Sequence, residues 1–301
     1  QDAQSAEVIK PFLEGKDLKK WRVEGRELYL ILIPKGWTRE HSNLSDEPAA
    51  WEWLNAHYPA VAQWLSPFEI KAKKRTDKGE FWWELRACGY YDEFEKIKIV
   101  YNRFQRKPLF SIDKCGSFFN DACYFIRNSD FFELGLLNSN VNWFIIKSIA
   151  TQLRGGFYQL HGDDCSKLPI PIVTDLKKTE IATLAERCQH LAETRYQKQA
   201  AIRRRIPDLC PPKRPSQLNN KLKSWWSLDF KTFRHEIKKC FKADIPLSER
   251  NDWENWLNSA KADIETHTQQ LTQLEQQLNQ KVYALFDLTE AEIRLIENNI
   301  E

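Results

Sequence analysis

The chain has 301 residues, of which 42% are hydrophobic and 29% are charged, and this is long enough for two ordinary globular domains. It contains no run of eighteen apolar residues, so the sequence predicts no membrane span. The formal net charge is only +3, so the total charge does not indicate nucleic-acid binding. Only local clusters of cations could indicate it. Because the chain neither starts with Met nor contains one, we expect a piece of a longer polypeptide.

The seven cysteines lie far apart, without a Cys-x-x-Cys pair and without a histidine at zinc-ligand spacing. This pattern is typical of reduced thiols in a cytoplasmic protein, and it predicts no metal site.

Three short apolar runs in the first part of the chain predict strands. Residues 28–33 form a run that stops at Pro34 and is expected to be buried. In residues 97–101 the apolar side chains Ile97, Ile99 and Tyr101 recur at period two, which predicts one buried face. Residues 122–126 form the third run.

Helical patterns separate these runs. Residues 47–65 carry apolar side chains at helical spacing, with a kink expected at Pro59. Residues 131–152 predict one or two helices that end at Gly155 and Gly156. Residues 1–173 are therefore predicted to form a mixed α/β domain.

The second part of the chain, residues 174–301, predicts long helices. Residues 177–206 have apolar side chains three or four apart, and residues 249–286 follow a heptad. The heptad positions are Leu257, Ala260, Ile264, His267, Leu271, Leu274, Leu278, Lys281 and Leu285. A lone helix cannot bury this seam, so we expect an antiparallel, coiled-coil-like hairpin. Its tip would be residues 207–247, and a capping box at 288–292 would start a C-terminal helix. The predicted fold class is α+β.

Catalytic signatures are missing from the sequence. It has no Gly-x-Gly, so neither a nucleotide-binding loop nor a turn for S-adenosylmethionine is available, and the Asn-Pro-Pro-aromatic motif of DNA amino-methyltransferases is also missing. Asp208 followed by Glu236-Ile237-Lys238 mimics a metal-dependent nuclease, but Glu236 falls in a helix-like stretch.

A series of phrases in fixed order resembles the TaqI-like C-terminal specificity domain, the target-recognition region of type IIG restriction-modification enzymes and related adenine-specific DNA methyltransferases. The phrases are IKPFLEGKDLKKW (9–21), WELR (83–86), YDEFEKIKIVY (91–101), LGLLNS (134–139), ATQLRGGFY (150–158) and LPIP (168–171). The tail 281–293 also resembles the closing helix of such enzymes.

The resemblance implies a module that reads duplex DNA and is not itself an enzyme. The methyltransferase domain with its S-adenosylmethionine, and any nuclease domain, would lie upstream in the same polypeptide, so no cofactor is expected in this chain. The helical hairpin would then set the distance between the reading domain and the catalytic domain.

Reading DNA needs cations for phosphates and Arg, Lys, Asn or Gln side chains for base edges. Three clusters are candidates. The first lies at a predicted helix end and comprises Lys71, Lys73, Lys74, Arg75 and Lys78. The second follows a predicted strand and comprises Asn102, Arg103, Gln105, Arg106 and Lys107. The third comprises Arg154, Gly155, Gly156 and Tyr158, where the glycines allow a sharp loop or close approach to a phosphate.

For each cluster the alternative is an ordinary solvated surface or helix end. For the whole chain the alternatives are a coiled-coil interaction scaffold without DNA specificity, and a nuclease built on Asp208 and Glu236.

Overall fold

A computed structural model describes residues 2–300, and these residues form two compact units. The first comprises the residues up to 19 together with 23–130 and 151–165, and the second comprises 20–22, 131–150 and the residues from 166 onward. Helices 131–137 and 140–149, which the sequence predicts within the first domain, thus pack with the helical unit. The domain boundary predicted after residue 173 stays a prediction.

The first unit is built on short strands. They are β1 (Ile9–Leu13), β2 (Leu18–Lys19), β3 (Arg22–Val23), β4 (Tyr29–Ile31), β5 (Lys98–Asn102), β6 (Phe104–Gln105), β7 (Phe110–Asp113), β8 (Phe118–Phe119), β9 (Cys123–Ile126), β10 (Thr151–Leu153) and β11 (Phe157–Gln159). Three three-stranded sheets result, in the orders β4-β1-β8, β7-β5-β9 and β10-β11-β6.

Strand β5 is the centre of one sheet and is buried on both faces. It pairs antiparallel with β7 and with β9, and Lys98, Ile99, Val100 and Tyr101 are all buried. The predicted strand is confirmed, but the predicted single buried face is wrong. Ile97 lies outside the strand and is 58% exposed, because the neighbouring strands and loops cover both sides from residue 98 onward.

The other strand predictions are confirmed with shorter bounds. Residues 123–126 form β9, and residues 29–31 form β4. Burial in the 28–33 run is restricted to its end, where Leu32 and Ile33 are buried while Tyr29 is 64% exposed.

The first unit also carries short helices. They are α1 (Ala3–Glu7), α2 (Trp37–Ser42), α3 (Glu47–His57), α4 (Pro59–Leu65), α5 (Glu69–Lys73), α6 (Tyr91–Glu95) and, near the end of the unit, α9 (Gly162–Cys165). The predicted kink at Pro59 is the break between α3 and α4, with Pro59 at the first position of α4. A cluster that includes Leu54, Val61, Trp82 and Trp83 forms the core beneath α3 and α4.

The second unit is helical. It contains α7 (Phe131–Leu137), α8 (Asn140–Ile149), α10 (Asp175–Arg205), α11 (Asn220–Lys223), α12 (Phe230–Phe241), α13 (Arg250–Leu285) and α14 (Glu290–Asn298). Gly135 of α7 lies so close to α10 that an added Cβ would be 2.8 Å from Ile181 Cγ2. The one or two helices predicted over 131–152 are two, α7 and α8. The predicted end at the glycines is wrong, because α8 ends at Ile149 and residues 151–153 form β10.

Helices α10 and α13 form the predicted antiparallel hairpin. Glu180 contacts Lys281 at one end, and Lys198 contacts Asp263 toward the other, which fixes the opposite chain directions. The heptad residues Leu257, Ile264, Leu271, Leu274 and Leu278 are buried, whereas His267 and Lys281 are not. Toward the end of α13 burial moves to Val282 and Tyr283, as expected when an α-helix drifts from a strict seven-residue repeat.

The tip between α10 and α13 packs against both helices. Its side chains Leu222, Trp225, Phe233, Ile237 and Phe241 are buried in one cluster with Ile202 of α10 and with Leu257 and Ile264 of α13. The capping box before α14 is also confirmed, since Thr289 and Glu292 cap each other's backbone amides. Among residues 2–300, no helix has the length and apolar character that a bilayer crossing requires.

Candidate nucleic-acid interface

Two of the three predicted clusters meet in one sheet of the first unit. Strand β6 pairs antiparallel with β11, with Gln105 opposite Tyr158 and Phe104 opposite Gln159. Strand β11 also pairs with β10, with Gln152 opposite Tyr158. The segment after β5 and the segment around the two glycines therefore lie side by side, although they are about 50 residues apart in the chain.

Gly155 and Gly156 form the turn of a hairpin between β10 and β11. Their φ angles are +79° and +74°, a region that glycine enters without the penalty of a Cβ. At Gly155 an added Cβ would lie 3.2 Å from Arg106 Nη2, so the turn also lets that side chain approach. The predicted sharp loop is present as a hairpin turn.

Arg106 is held against the hairpin by an aromatic ring. Its guanidinium carbon lies 4.1 Å from the centre of the Phe157 ring, while the residue as a whole stays exposed. A guanidinium stacked on a ring keeps its donors directed outward in the ring plane, which suits contacts with phosphates or base edges.

Arg103 is held by a chain of polar side chains. A guanidinium can only donate, so the Gln159 amide is oriented with its oxygen toward Arg103. That oxygen then accepts from Arg103 Nη2 at 2.6 Å, from Nε at 3.1 Å and from His161 Nε2 at 2.7 Å. The other nitrogen of His161 lies 3.5 Å from the Tyr124 hydroxyl. Arg103 is thus half-buried and pre-positioned, with part of its donor set still available.

Asn102 and Gln105, two predicted DNA-binding residues, use their amides within the protein. Asn102 Nδ2 donates to the Gly15 carbonyl at 2.8 Å, and its oxygen accepts from the Phe104 amide at 2.8 Å. Gln105 is fully buried, donates to the Asn102 carbonyl at 2.9 Å and accepts from the Leu109 amide at 3.0 Å. Both residues shape the loop that presents Arg103 and Arg106, and we do not include them in the interface.

The remaining members of these clusters face solvent. Lys107 and Arg154 are exposed, and Tyr158 is half-buried. Segments 102–110 and 151–161 together contain Arg103, Arg106, Lys107 and Arg154 but no acidic residue. We call these four cations the hairpin face, and it carries a local charge of +4 in a chain whose total is +3.

The first cluster, residues 71–78, behaves differently. Lys73 bridges Glu69 at 2.8 Å and Glu47 at 2.9 Å, and the hydrogen bond with Glu69, followed by that with Glu47, raises its pKa. Lys78 donates to the carbonyls of Lys73 and Arg75. Lys73 and Lys78 thus stabilise the end of α5 through contacts within the protein.

Arg75 is a structural residue. Its Nη2 donates to the carbonyl of Glu84 at 2.8 Å and to that of Trp82 at 3.2 Å, and its Nε is buried. The side chain therefore holds the loop that carries the two tryptophans. Lys71 and Lys74 are exposed and form no ion pair with the residues that the structure describes. They are the cluster members that remain candidates.

Phe157 and Gln159, which support Arg106 and Arg103, were not predicted from the sequence. The signal was present, because two glycines flanked by Thr151–Leu153 and Phe157–Gln159 are a hairpin signal as well as a helix-end signal. The helical periodicity of the preceding residues favoured the wrong alternative.

The acids of the nuclease alternative do not converge. Glu236 is buried in α12, and its two oxygens accept from Asn219 and from Lys221, each at 2.9 Å. Asp208 is 62% exposed at the side chain and lies 3.6 Å from Arg205. Residues 2–300 contain no group of three or more His, Cys, Asp or Glu side chains arranged to hold a metal ion.

Comparison with protein families identifies two regions of the chain. The TaqI-like C-terminal specificity domain matches residues 10–170, more than half of the chain, and the chain therefore belongs to this family. A second family, described as Domain of unknown function (DUF8810), matches residues 174–282. No curated protein matches the chain. The chain thus contains the specificity region characteristic of restriction-modification enzymes, followed by a helical region without an assigned function.

Proposed function

We propose that this chain recognises a specific sequence in duplex DNA, as the target-recognition region of an adenine-specific DNA methyltransferase of the type IIG restriction-modification class. The methyl transfer from S-adenosylmethionine, and any DNA cleavage, is assigned to other domains of the parent enzyme. Membership of the specificity-domain family supports the proposal.

The observation that carries the proposal is the hairpin face. It brings Arg103, Arg106 and Arg154 onto one small sheet without a neighbouring acid in either segment. Phosphate contacts fix a protein's register on DNA, and arginine is the side chain that most often reads guanine in the major groove. The major groove admits a two-stranded ribbon, and β10 and β11 form such a ribbon at the turn, where Leu153 pairs with Phe157 beyond the residues that pair with β6.

The contacts that hold each cation suggest which cations contact bases and which contact phosphates. Arg103 is fixed by Gln159, so it gives up little conformational freedom on binding and suits base reading. Arg106 is stacked on Phe157 and exposed, and Lys107 and Arg154 are exposed without such a support. We assign these three to phosphates or to the outer base edges.

The scaffold alternative is less well supported. It requires the apolar seam of α13 to be available for another protein, whereas Ile264, Leu271 and Leu278 of that seam are buried in a hairpin that includes α10. We propose that the helical hairpin of α10 and α13 acts as a spacer between the reading domain and the catalytic domain.

The test is selection from a random pool of duplex DNA by the wild-type chain and by the triple variant Arg103→Gln, Arg106→Gln, Arg154→Gln, which includes the arginine that we assign to base reading. The proposal predicts that the wild type enriches a short asymmetric motif and that the variant does not. The control removes three exposed cations elsewhere in the first unit, with Lys16→Gln, Lys35→Gln and Lys96→Gln, and keeps the motif. Enrichment of the same motif by wild type and triple variant would contradict the proposal.

A further inference from the structure

Positive charge is concentrated at the end of α10 and in the part of the tip that follows it, up to residue 242. Residues 203–242 contain 12 Lys and Arg against 3 Asp and Glu, a local charge of +9. The remaining residues of the chain contain 33 basic and 39 acidic side chains, a charge of −6. The modest total of +3 therefore hides a strongly basic segment, and such segregation indicates an anionic partner.

Helix α12, Phe230–Phe241, and the residue after it present four of these twelve cations on one face. Phe233, Ile237 and Phe241 face the core and are buried. At 100° per residue, Lys231, His235, Lys238 and Lys239 fall within about a quarter of the helix circumference, opposite that core. Lys242, the residue after the helix, continues the row, and all five are exposed.

The cations of this row are mostly not engaged by acids. Among the residues that the structure describes, Lys238 contacts Asp244 at 3.2 Å, and Lys231, Lys239 and Lys242 form no ion pair or hydrogen bond through their side chains. The acids nearby have other partners: Asp244 contacts Arg234 and Arg250, Glu236 contacts Lys221, and Asp229 accepts from the Thr232 amide at the start of α12.

The support beneath the row is rigid. Trp225 is fully buried and donates through Nε1 to the Gln199 carbonyl at 2.9 Å, and Arg214 donates to the Phe241 carbonyl at 3.0 Å. Lys242 has a left-handed φ of 55°, which ends α12 in a defined turn. The cationic row is therefore presented by a folded platform, which lowers the entropy cost of binding.

We infer that the exposed face of α12, comprising Lys231, His235, Lys238, Lys239 and Lys242, is a second nucleic-acid contact that binds the phosphate backbone of duplex DNA without reading its sequence. The row spans about 16 Å at 1.5 Å per residue, which is the reach of several consecutive phosphates. Lysine is a point charge with rotatable donors, so it suits phosphates, whereas the fixed guanidinium of Arg103 in the hairpin face suits a base edge. The choice of duplex DNA as partner rests on the proposed function.

The experiment measures how the affinity of the whole chain for a duplex of random sequence depends on salt. The variant is Lys231→Gln, Lys239→Gln, Lys242→Asn, with Asn chosen at 242 because it tolerates a left-handed backbone. Removal of each phosphate contact lowers the log–log slope by about 0.9, so the inference predicts a decrease of about two to three units. The motif that the chain selects is expected to stay the same.

The matched control removes three exposed cations from elsewhere in the helical unit, with Lys177→Gln, Lys281→Gln and Arg294→Gln, and should leave the slope close to that of the wild type. A melting temperature equal to the wild type's verifies that each variant is folded. An unchanged slope in the tip variant would overturn the inference, even if the wild type selects a motif. If the slope falls in the tip variant but the wild type selects no motif, the inference stands and the proposed reading function fails.

Discussion

The guanidinium carbon of Arg106 lies 4.1 Å from the centre of the Phe157 ring, and this contact joins two segments that are far apart in the sequence. Arg106 follows β6, and Phe157 begins β11. The ring fixes the direction of an otherwise exposed cation that, in the proposed function, contacts DNA.

Replacement of the ring tests this link. We expect Phe157→Leu to weaken binding to the selected duplex about three- to tenfold, since a partly exposed cation–π contact contributes roughly 0.5–1 kcal/mol and the unstacked side chain gives up further freedom on binding. Fluorescence anisotropy with the labelled duplex measures the change. Tyr29→Leu, which removes an exposed aromatic ring from β4, serves as the control. Equal affinity for wild type and Phe157→Leu, with both folded, would show that the stacking has no role in binding.

Arg75 is predicted to matter for stability and not for DNA binding. Arg75→Met removes the side-chain donor to the Trp82 carbonyl and one of the two donors to the Glu84 carbonyl, which also accepts from the Gly79 amide, so we expect the first unit to become less stable by about 1–3 kcal/mol. Chemical denaturation followed by tryptophan fluorescence measures this change. Lys74→Met, which removes the neighbouring exposed cation, should leave the denaturation midpoint unchanged. A large decrease in affinity in Arg75→Met without a stability change would return Arg75 to the interface.

Breaking the buried ion pair Lys98–Asp113 is expected to lower the free energy of unfolding more than the loss of Arg75 does. Lys98 Nζ lies 2.7 Å from Asp113 Oδ2, the side chains are 1% and 2% exposed, and the same carboxylate accepts from the Ser117 amide. Lys98→Met leaves an uncompensated buried carboxylate, and we expect the free energy of unfolding to fall by about 3–5 kcal/mol. Urea denaturation measures it, with Lys96→Met as a control because that side chain is 59% exposed. A decrease no greater than the control's would mean that the pair contributes little.

The lowered pKa of Asp244 should make the stability of the tip depend on pH. The hydrogen bond from Arg234, with further contributions from Lys238 and the Ile245 amide, holds the pKa of this carboxyl well below its usual value of 3.8. A lowered folded-state pKa stabilises the fold above the unfolded pKa, and this stabilisation disappears as the pH falls through the folded-state value. Asp244→Asn should therefore lower the melting temperature at neutral pH, and the difference should narrow progressively below about pH 4. A difference that stayed constant from pH 7 to pH 3 would contradict this origin.

Local signals in the sequence predicted much of the fold. Pro59 fixes its own φ and disfavours the helical conformation of the residue before it, so the break between α3 and α4 was visible. Thr289 and Glu292 have the spacing of a capping box, and the leucines of α13 follow a heptad that only a partner helix can bury.

Non-local pairing decided the features that the sequence did not reveal. Residues 151–153 continue the apolar pattern of α8, and only pairing with β11, which itself pairs with β6, makes them a strand. Lys98 looked like the polar side of a half-buried strand, because Asp113 could not be matched to it from the sequence.

The candidate site was predictable by residue type but not by geometry. Arg103 and Arg75 both appear as cations near a turn, yet a side-chain amide holds the first toward the hairpin and backbone carbonyls hold the second inside a loop. Which partner a cation finds depends on chain segments that come together only in the folded structure.

Sequence reading by the hairpin face is tested most sharply by selection from a random duplex pool. The wild-type chain and the variant Arg103→Gln, Arg106→Gln, Arg154→Gln are compared at several salt concentrations by sequencing the retained DNA. We predict a short asymmetric motif for the wild type, retained as salt rises, and no motif for the variant. Retention of the same motif by the variant, or salt-sensitive binding without any motif in the wild type, would show that the hairpin face does not read DNA.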